Sequence, residues 1–82
     1  MLISVIIPVF NGEATIRETI DSILNQTFKD IEIIIINDGS TDATLETIKK
    51  ISDFRIKVFS YPNAGLSASR NRGISQAKGE YI

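Results

Sequence analysis

The sequence predicts an α/β fold, in which helices cover both faces of an open parallel sheet to give three layers. The predicted elements alternate strictly between strand and helix, and such alternation is typical of parallel strands joined by right-handed crossovers. The run IEIIIINDGSTD, from Ile31 to Asp42, is too continuously apolar for a strand with one solvated face, and predicts a covered central strand. The predicted strand order is 3-2-1-4, with a fourth strand truncated at Ile82.

The first strand is predicted at Leu2–Ile7 and should end near Pro8, because proline cannot donate to a strand ladder. Asn11 or Gly12 is a candidate N-cap for the first helix. That helix should end between Asn25 and Thr27. Its apolar stripe has helical spacing and comprises Ile16, Ile20, Ile23, Leu24 and Thr27.

The second helix is predicted at Thr41–Ile51, with Ser40 as its N-cap and Asp42 in its first turn. Arg55–Tyr61 alternates between apolar and polar residues, which predicts an edge strand.

The third helix is predicted at Leu66–Lys78, and Gly79 should end it in a left-handed conformation. Glu80–Ile82 then begins the fourth strand. The side of the helix that should face the sheet is rich in small residues and comprises Leu66, Ser69, Arg70, Gly73, Ile74 and Ala77.

Length and composition indicate one small domain of 82 residues with a net charge of −1. The charge gives no indication of a nucleic-acid surface. The chain has no cysteine and no histidine, so thiolate and imidazole chemistry are excluded. The segment MLISVIIPVF lacks a basic start and contains Pro8, so it is interpreted as a strand and not as a targeting segment.

Three loops follow strands at the same edge of the predicted sheet: Pro8–Glu13, Asn37–Asp42 and Pro62–Gly65. Free N–H groups at the helix N-termini there would favour an anion such as phosphate. Every doubly wound sheet shares this geometry, so geometry alone leaves ligand binding open.

Individual loop residues have two interpretations each. Asp38 can accept a hydrogen bond from a base or a ribose, or it can serve its own turn. Phe10 can stack on a base or simply pack. Ser40, Asp42 and Asn63 are interpreted as structural residues of caps and turns.

Arg70 is predicted to lie on the inward side of the third helix, where an unpaired charge is costly. Its partner could be Asp38, Glu13 or a bound phosphate. Arg72 falls off that side and should be solvated.

Two nucleotide-binding motifs are absent. The sequence has neither Gly-x-Gly-x-x-Gly after its first strand nor a Gly-Lys-Ser/Thr phosphate loop. These absences argue against a nicotinamide dehydrogenase and a phosphate-loop ATPase.

Three segments together resemble the family 2 glycosyltransferases, which have the Rossmann-like GT-A fold. They are SVIIPVFNGEATIRETIDSILNQTF, IEIIIINDGSTDATLETI and NAGLSASRNRGISQAKGEYI, and they cover nearly the whole chain in the family's order. The resemblance implies transfer of a sugar, with inversion, from a nucleotide-diphosphate sugar such as a UDP-sugar. Synthesis of a cell-surface polysaccharide or glycan in the cytoplasm is the expected role.

The resemblance also implies a set of nucleotide-binding residues. Pro8, Phe10 and Asn11 would surround the base and ribose, although the family usually has tyrosine at the position of Phe10. Asp38 would contact the base. Glu13 would lie near the ribose, and Arg70 would belong to the segment that closes the pocket.

In the family, the strand that begins at Glu80 continues into an Asp-x-Asp motif that holds Mg²⁺ or Mn²⁺, and the catalytic base follows later. Residues 1–82 contain neither, so we expect the N-terminal, nucleotide-sugar-binding part of a larger enzyme, inactive by itself. Missing parts of the parent could attach it to a membrane. A non-catalytic nucleotide-binding or assembly module is the alternative.

The outer edge of the first strand is also expected to drive self-association. With only a short fourth strand beside it, most of the apolar edge of Leu2–Ile7 would lack a partner. The sequence therefore predicts a homodimer through this side of the sheet.

Overall fold

The computed structural model describes residues 1–26 and 30–82, and within them it contains four parallel strands and three helices. The hydrogen-bonded order is β3-β2-β1-β4, which confirms the predicted fold class and strand order. Thr27, assigned above to the first helix stripe, lies outside the described residues. In chain order the elements are β1 (Ile3–Val9), α1 (Ile16–Leu24), β2 (Ile31–Asp38), α2 (Thr44–Lys49), β3 (Ile56–Tyr61), α3 (Leu66–Gln76) and β4 (Glu80–Tyr81).

β2 is buried along its whole length because helices cover both faces of the sheet. On the face covered by α1 and α2, the buried core comprises Ile16, Ile20, Ile31, Ile33, Ile35 and Ile48. On the other face α3 approaches closely at Gly73, where a Cβ would collide with Ile6. Burial of each isoleucine side chain contributes about 2 kcal/mol.

β1 continues through Pro8 to Val9, so the predicted end at Ile7 is wrong. Backbone groups of even-numbered residues in β1 point towards β4, as in the bonds from Ile82 N to the Ser4 carbonyl and from Ile6 N to the Ile82 carbonyl. The N–H that Pro8 lacks would therefore have pointed away from β2. Pairing of β1 with β2 is not interrupted.

The same bonds correct the predicted edge. Leu2, Ser4 and Ile6 are already paired with the segment that ends in Ile82, and Pro8 offers no donor. Most of the first strand's outer edge is therefore occupied. Within the described residues, the outermost strand on this side is β4.

Both predicted helix caps are wrong. α1 begins after Thr15, without a side-chain cap, and the Gly12 carbonyl accepts the N–H groups of Thr15 and Ile16. α2 begins after Ala43, three residues later than predicted, because the side chain of Ser40 accepts a hydrogen bond from another loop.

α3 ends at Gln76, before the predicted Lys78, since Ala77 is already extended. Gly79 does not belong to the residues with positive φ, so the predicted left-handed stop is wrong. A Cβ at Gly79 would collide with the carbonyl oxygen of Leu2. Glycine therefore allows the chain to approach β1 as it enters β4.

A buried carboxylate fixes this entry into β4. Glu32, in β2, is 3% exposed. Its Oε2 accepts hydrogen bonds from Ser4 Oγ at 2.6 Å and from Lys78 N at 2.7 Å, and its Oε1 accepts one from Lys57 Nζ at 2.8 Å. Ser4 Oγ in turn accepts Gly79 N at 3.0 Å. We call these five residues the Glu32 network.

The Glu32 network also sets the ionisation of the carboxylate. Burial by itself would raise the pKa of Glu32, but hydrogen bonds from Lys57, Ser4 and the Lys78 backbone outweigh it and lower the pKa to about 2. Glu32 is therefore ionised throughout the neutral and mildly acidic range.

Candidate functional site

The loops after β1, β2 and β3 meet at the carboxyl edge of the sheet, where ligands bind in open α/β folds. The first two loops are joined directly. Asn11 N donates to Ser40 Oγ at 2.9 Å, and Thr41 N donates to Asn11 Oδ1 at 2.8 Å. These bonds hold Asn11 at a φ of 51°, a left-handed conformation that asparagine tolerates.

The contact between the two loops continues through the start of α2. Gly12 N donates to Thr44 Oγ1 at 2.9 Å, and Glu13 N donates to Asp42 Oδ2 at 3.2 Å. The Thr44 hydroxyl and its N–H both donate to Asp42 Oδ1. Hydrogen bonds from Thr44 lower the pKa of Asp42 more than its desolvation raises it, and the Glu13 amide adds to the lowering.

Asp38 joins the third loop to the site. It ends β2 and is 4% exposed. Its Oδ1 accepts Ala64 N at 2.8 Å, and its Oδ2 accepts Gly65 N at 3.0 Å and Asn63 Nδ2 at 3.3 Å. Asp38 therefore does not serve its own turn. It holds the backbone immediately before α3.

These contacts correct the prediction of free N–H groups for the loops at the carboxyl edge. The first-turn amides of α3, which precede the bond from Ser69 N to the Gly65 carbonyl, do not take part in them. Several loop amides already donate to side chains of the protein. They are the backbone N–H groups of Asn11, Gly12, Glu13, Ser40, Thr41, Thr44, Ala64 and Gly65. An anion would therefore depend on side-chain cations more than on these amides.

A cavity of about 90 Å³ lies between the first loop and α3. Phe10, half exposed at 52%, forms one wall. Asp38 and Ser69 supply polar groups, and the full lining is Pro8, Val9, Phe10, Asp38, Leu66 and Ser69. The cavity thus combines an accessible aromatic ring with a buried carboxylate.

A second cavity, of about 380 Å³, adjoins the first and shares Pro8 and Leu66 with it. Arg70 lines this cavity and is exposed, so its predicted burial against the sheet is wrong. The residues of α3 that are buried are Ser69 and Gly73. Among the described residues Arg70 forms no ion pair with Asp38 or Glu13, and its guanidinium can reach a ligand in the crevice.

Arg72 is half-buried instead of solvated. Its guanidinium lies 4.5 Å from the centre of the Tyr61 ring and donates to the Pro62 carbonyl at 3.4 Å. This cation–π contact, which can contribute about 1 kcal/mol, attaches α3 to the end of β3.

The six predicted site residues thus occupy different places at one edge. Pro8, Phe10 and Asp38 line the small cavity, Arg70 lines the larger one, and Asn11 and Glu13 lie in the loop bound to Ser40–Thr44. Sequence reasoning missed the contacts of Ser40, Asp42 and Thr44 between loops. The signal in the sequence is that these residues follow Asp38 closely. That position fits a contact between loops as well as a helix cap.

The described ranges contain no group of three His, Cys, Asp or Glu residues placed to hold a metal ion. Within the same ranges, none of the helices has the length and hydrophobicity needed to cross a bilayer.

A parallel sheet with a partly polar cavity at the carboxyl ends of its strands is the architecture of an open α/β domain, in which ligands bind at this edge. Comparison with known families identifies the family of the chain. Residues 4–82 match the model of glycosyl transferase family 2, and the chain belongs to that family.

Its relatives include sugar transferases and polysaccharide synthases. The chain is 50% identical over 82 residues to glycosyltransferase GlyA of Streptococcus pneumoniae, covering 98% of this chain and 12% of GlyA. It is 46% identical over 83 residues to chondroitin synthase of Pasteurella multocida, covering 99% and 9%. The chain therefore spans only a small part of these relatives.

Solved structures give the same fold. S. aureus TarS, solved in complex with UDP, matches with a TM-score of 0.90 and 33% identity, over 100% of this chain and 27% of that one. A mannosyltransferase from Pyrobaculum calidifontis, solved with GDP-Man and Mn²⁺, matches with a TM-score of 0.86 and 22% identity, over 93% and 24%. The second likeness supports the GT-A fold alone.

Proposed function

We propose that this chain binds the nucleotide of a nucleotide-diphosphate sugar, as the N-terminal part of an inverting glycosyltransferase that makes a cell-surface glycan in the cytoplasm. The observation that supports this most is the cavity at the carboxyl edge, where Asp38 and the accessible ring of Phe10 lie together. Family membership and the UDP complex of TarS agree with it.

In this proposal the base lies against Phe10 and Pro8. A half-exposed aromatic ring offers stacking that contributes about 1–3 kcal/mol per base. Asn11 and Glu13 follow directly and would face the ribose, and their backbone is held by Ser40 and Asp42. The loop is therefore fixed before ligand binding and has little conformational entropy to lose.

Asp38 would accept a hydrogen bond from the base. An ionised carboxylate has about four acceptor positions, and three bonds from residues 63–65 occupy Asp38. One position on Oδ1 is left for a ligand.

Arg70 would face the diphosphate. It is exposed on the larger cavity next to the base site, and arginine binds phosphate oxygens in a bidentate manner. Since the loop amides are already bonded, this guanidinium is the cation of the crevice that we assign to the phosphates.

The described residues do not fit a divalent metal, because they offer no carboxylate cluster. We therefore assign the metal and the catalytic base to other parts of the parent. A divalent ion in such an enzyme would neutralise the leaving diphosphate.

A transfer assay tests the proposal. We expect the parent to release nucleoside diphosphate from a sugar donor in the presence of Mn²⁺ or Mg²⁺ and acceptor, and we expect the 82-residue chain alone to give only background. If the 82-residue chain released nucleoside diphosphate, and Asp38→Ala abolished that release, the prediction that the chain is inactive by itself would be contradicted. A parent that binds nucleotide but transfers from none of a panel of donors would favour a non-catalytic module.

Self-association through the β4 side of the sheet stays a prediction. β4 has two residues, and Tyr81 and Ile82 are 54% and 81% exposed beside the larger cavity. We expect a dimer in sedimentation at micromolar concentration, and we expect Tyr81→Lys to dissociate it with the circular dichroism unchanged. A monomer at every concentration would contradict the prediction.

A further inference from the structure

The strand β4 contributes little to its own attachment. It pairs with β1 over two residues, Glu80 and Tyr81, and both of them are exposed, as is Ile82 after them. Beyond this short ladder, Ile6 N donates to the Ile82 carbonyl at 3.1 Å. Side chains that stay exposed add little hydrophobic stabilisation, so β4 depends on another attachment to the domain.

The Glu32 network supplies this attachment from inside the domain. Lys78 N donates to Glu32 Oε2 at 2.7 Å, and Gly79 N donates to Ser4 Oγ at 3.0 Å. These two amides belong to the residues directly before β4. Ser4 Oγ itself donates to the same Oε2 at 2.6 Å. Because Glu32 and Ser4 are 3% and 0% exposed, water does not compete for these bonds, and the position of β4 depends on a buried carboxylate.

A carboxylate at this position is not needed to cover the sheet. Residues 31 and 33–36 of β2 are all isoleucine, and Glu32 stands among them. Apolar residues in place of a buried ionic network are often as stabilising as the network or more so. The coverage of the sheet therefore does not explain Glu32, whereas its bonds to the residues before β4 indicate a role in positioning.

What β4 positions is part of the wall of the larger cavity. Tyr81 and Ile82 line this cavity together with Arg70. If β4 separated from β1, this side of the cavity would open to bulk water. Water screens the attraction between a guanidinium and a phosphate. The placement of β4 therefore affects how strongly Arg70 can hold an anion.

We propose that Glu32 is a positioning residue of the nucleotide site, which holds β4 in place and so keeps the wall of the larger cavity beside Arg70. Glu32 touches no ligand itself, because it lies at the amino end of β2, away from the crevice. The proposal rests on the proposed function, in which Arg70 faces the diphosphate and Phe10 stacks on the base. Glu32 should therefore affect binding of the diphosphate and spare binding of the base.

Titrations with UDP and with uridine separate these two parts of the nucleotide. Binding is followed by the amide shifts of the ¹⁵N-labelled chain, below the melting temperatures of all variants. Glu32→Ala removes the acceptor of the network. Glu32→Gln is the conservative variant, because its side-chain oxygen can still accept Ser4 Oγ and Lys78 N.

Asp53→Ala is the matched control. Asp53 lies before β3 at the same edge of the sheet as Glu32, and its carboxylate accepts hydrogen bonds from the backbone and the guanidinium of Arg55. Its loss should lower the melting temperature without affecting β4. The ratio of UDP affinity to uridine affinity should therefore stay as in wild type.

We expect Glu32→Ala to weaken UDP binding by about 5-fold, the contribution of about one hydrogen bond, and to leave uridine binding within about 2-fold of wild type. Hydrogen exchange of the Ile6 amide, whose acceptor is the Ile82 carbonyl, should accelerate in this variant. It should accelerate more than exchange of the Ile33 amide, which donates to the Arg55 carbonyl at 2.8 Å. Glu32→Gln should restore most of both quantities.

Ser4→Ala takes the place of Glu32→Ala should that variant not fold. It removes the hydroxyl that joins Glu32 to Gly79 N and adds no bulk to β1. Because the bond from Lys78 N to Glu32 is kept, the affinity ratio should fall by only about 2-fold.

Two results would overturn the inference and leave the proposed function intact. One is a wild-type affinity ratio in the folded variant that lacks the acceptor or the hydroxyl. The other is an equal fall of the ratio in Asp53→Ala, which would mean that any loss of stability acts on the site. Failure of the wild-type chain to bind UDP would instead overturn the proposed function.

Discussion

Replacement of Glu32 by alanine is expected to lower the free energy of unfolding by about 3 kcal/mol, which corresponds to roughly 15 °C in melting temperature for a domain of this size. The substitution leaves the buried Ser4 hydroxyl and the Lys78 N–H without their acceptor. Lys57 Nζ, which is partly exposed, can turn to water. A domain of 82 residues has only about 4–12 kcal/mol of stability, so the loss is a large fraction.

The same carboxylate predicts a pH dependence. The pKa of Glu32 is lowered in the folded chain from 4.5 to about 2, so the unfolded chain binds its proton first as the pH falls. The stabilisation is complete above pH 4.5 and is lost between pH 4.5 and about 2. Asp42 and Asp53 also have lowered pKa values and add to this slope.

Chemical denaturation at several pH values measures both effects. Glu32→Ala should be less stable at pH 7 and should lose less stability than wild type on acidification. Glu46→Ala, which removes an exposed carboxylate on α2, is the matched control and should stay within about 0.5 kcal/mol of wild type. Equal acid slopes for wild type and Glu32→Ala would contradict the role assigned to the Glu32 network.

Replacement of Asp38 by alanine is expected to abolish measurable nucleotide binding and also to destabilise the chain by about 3 kcal/mol. The carboxylate accepts the N–H groups of Ala64 and Gly65, and both would lose their acceptor. The Asn63 amide would lose its bond to Oδ2 but keep the Asp38 backbone carbonyl at 3.0 Å. A substitution that removed only a ligand contact would spare the melting temperature. The observed contacts predict that both quantities fall.

Asn63→Ala separates the two roles of Asp38. It removes one of the three bonds to the carboxylate and leaves the remaining acceptor position on Asp38 unchanged. It should therefore lower the melting temperature by a few degrees and leave nucleotide affinity within about 3-fold of wild type. Wild-type affinity in Asp38→Asn, measured below its melting temperature, would contradict the assignment of Asp38 as a base acceptor.

The sheet could be predicted from the sequence because β2 carries an unambiguous pattern. A run of isoleucines between turn residues indicates a covered strand, and the alternation of elements then determines the strand order. The ends of the elements were not predictable in the same way. Pro8 stays in β1 because its missing N–H points away from β2, and that direction depends on the register of pairing.

The sequence predicts where the candidate site lies, but it does not predict the contacts within the site. Asp38 follows from its position at the end of β2, but its bonds to residues 63–65 join loops 25 or more positions apart. The role of Glu32 is not predicted from the apolar run around it, although a charge inside a fully covered strand requires partners. The sequence predicts only that Ser69 is a small packing residue, because its unpaired hydroxyl is visible only in the folded chain.

An NMR titration of the ¹⁵N-labelled chain with UDP tests the central claim most directly, since amide shifts detect weak binding and locate it. We predict saturable shifts for the amides at the carboxyl edge, in residues 9–13, 38–41 and 63–70. Residues at the opposite edge of the sheet, such as Phe54 and Arg55, should not shift. Absence of shifts at millimolar UDP, or shifts confined to that opposite edge, would contradict the claim that these loops form a nucleotide site.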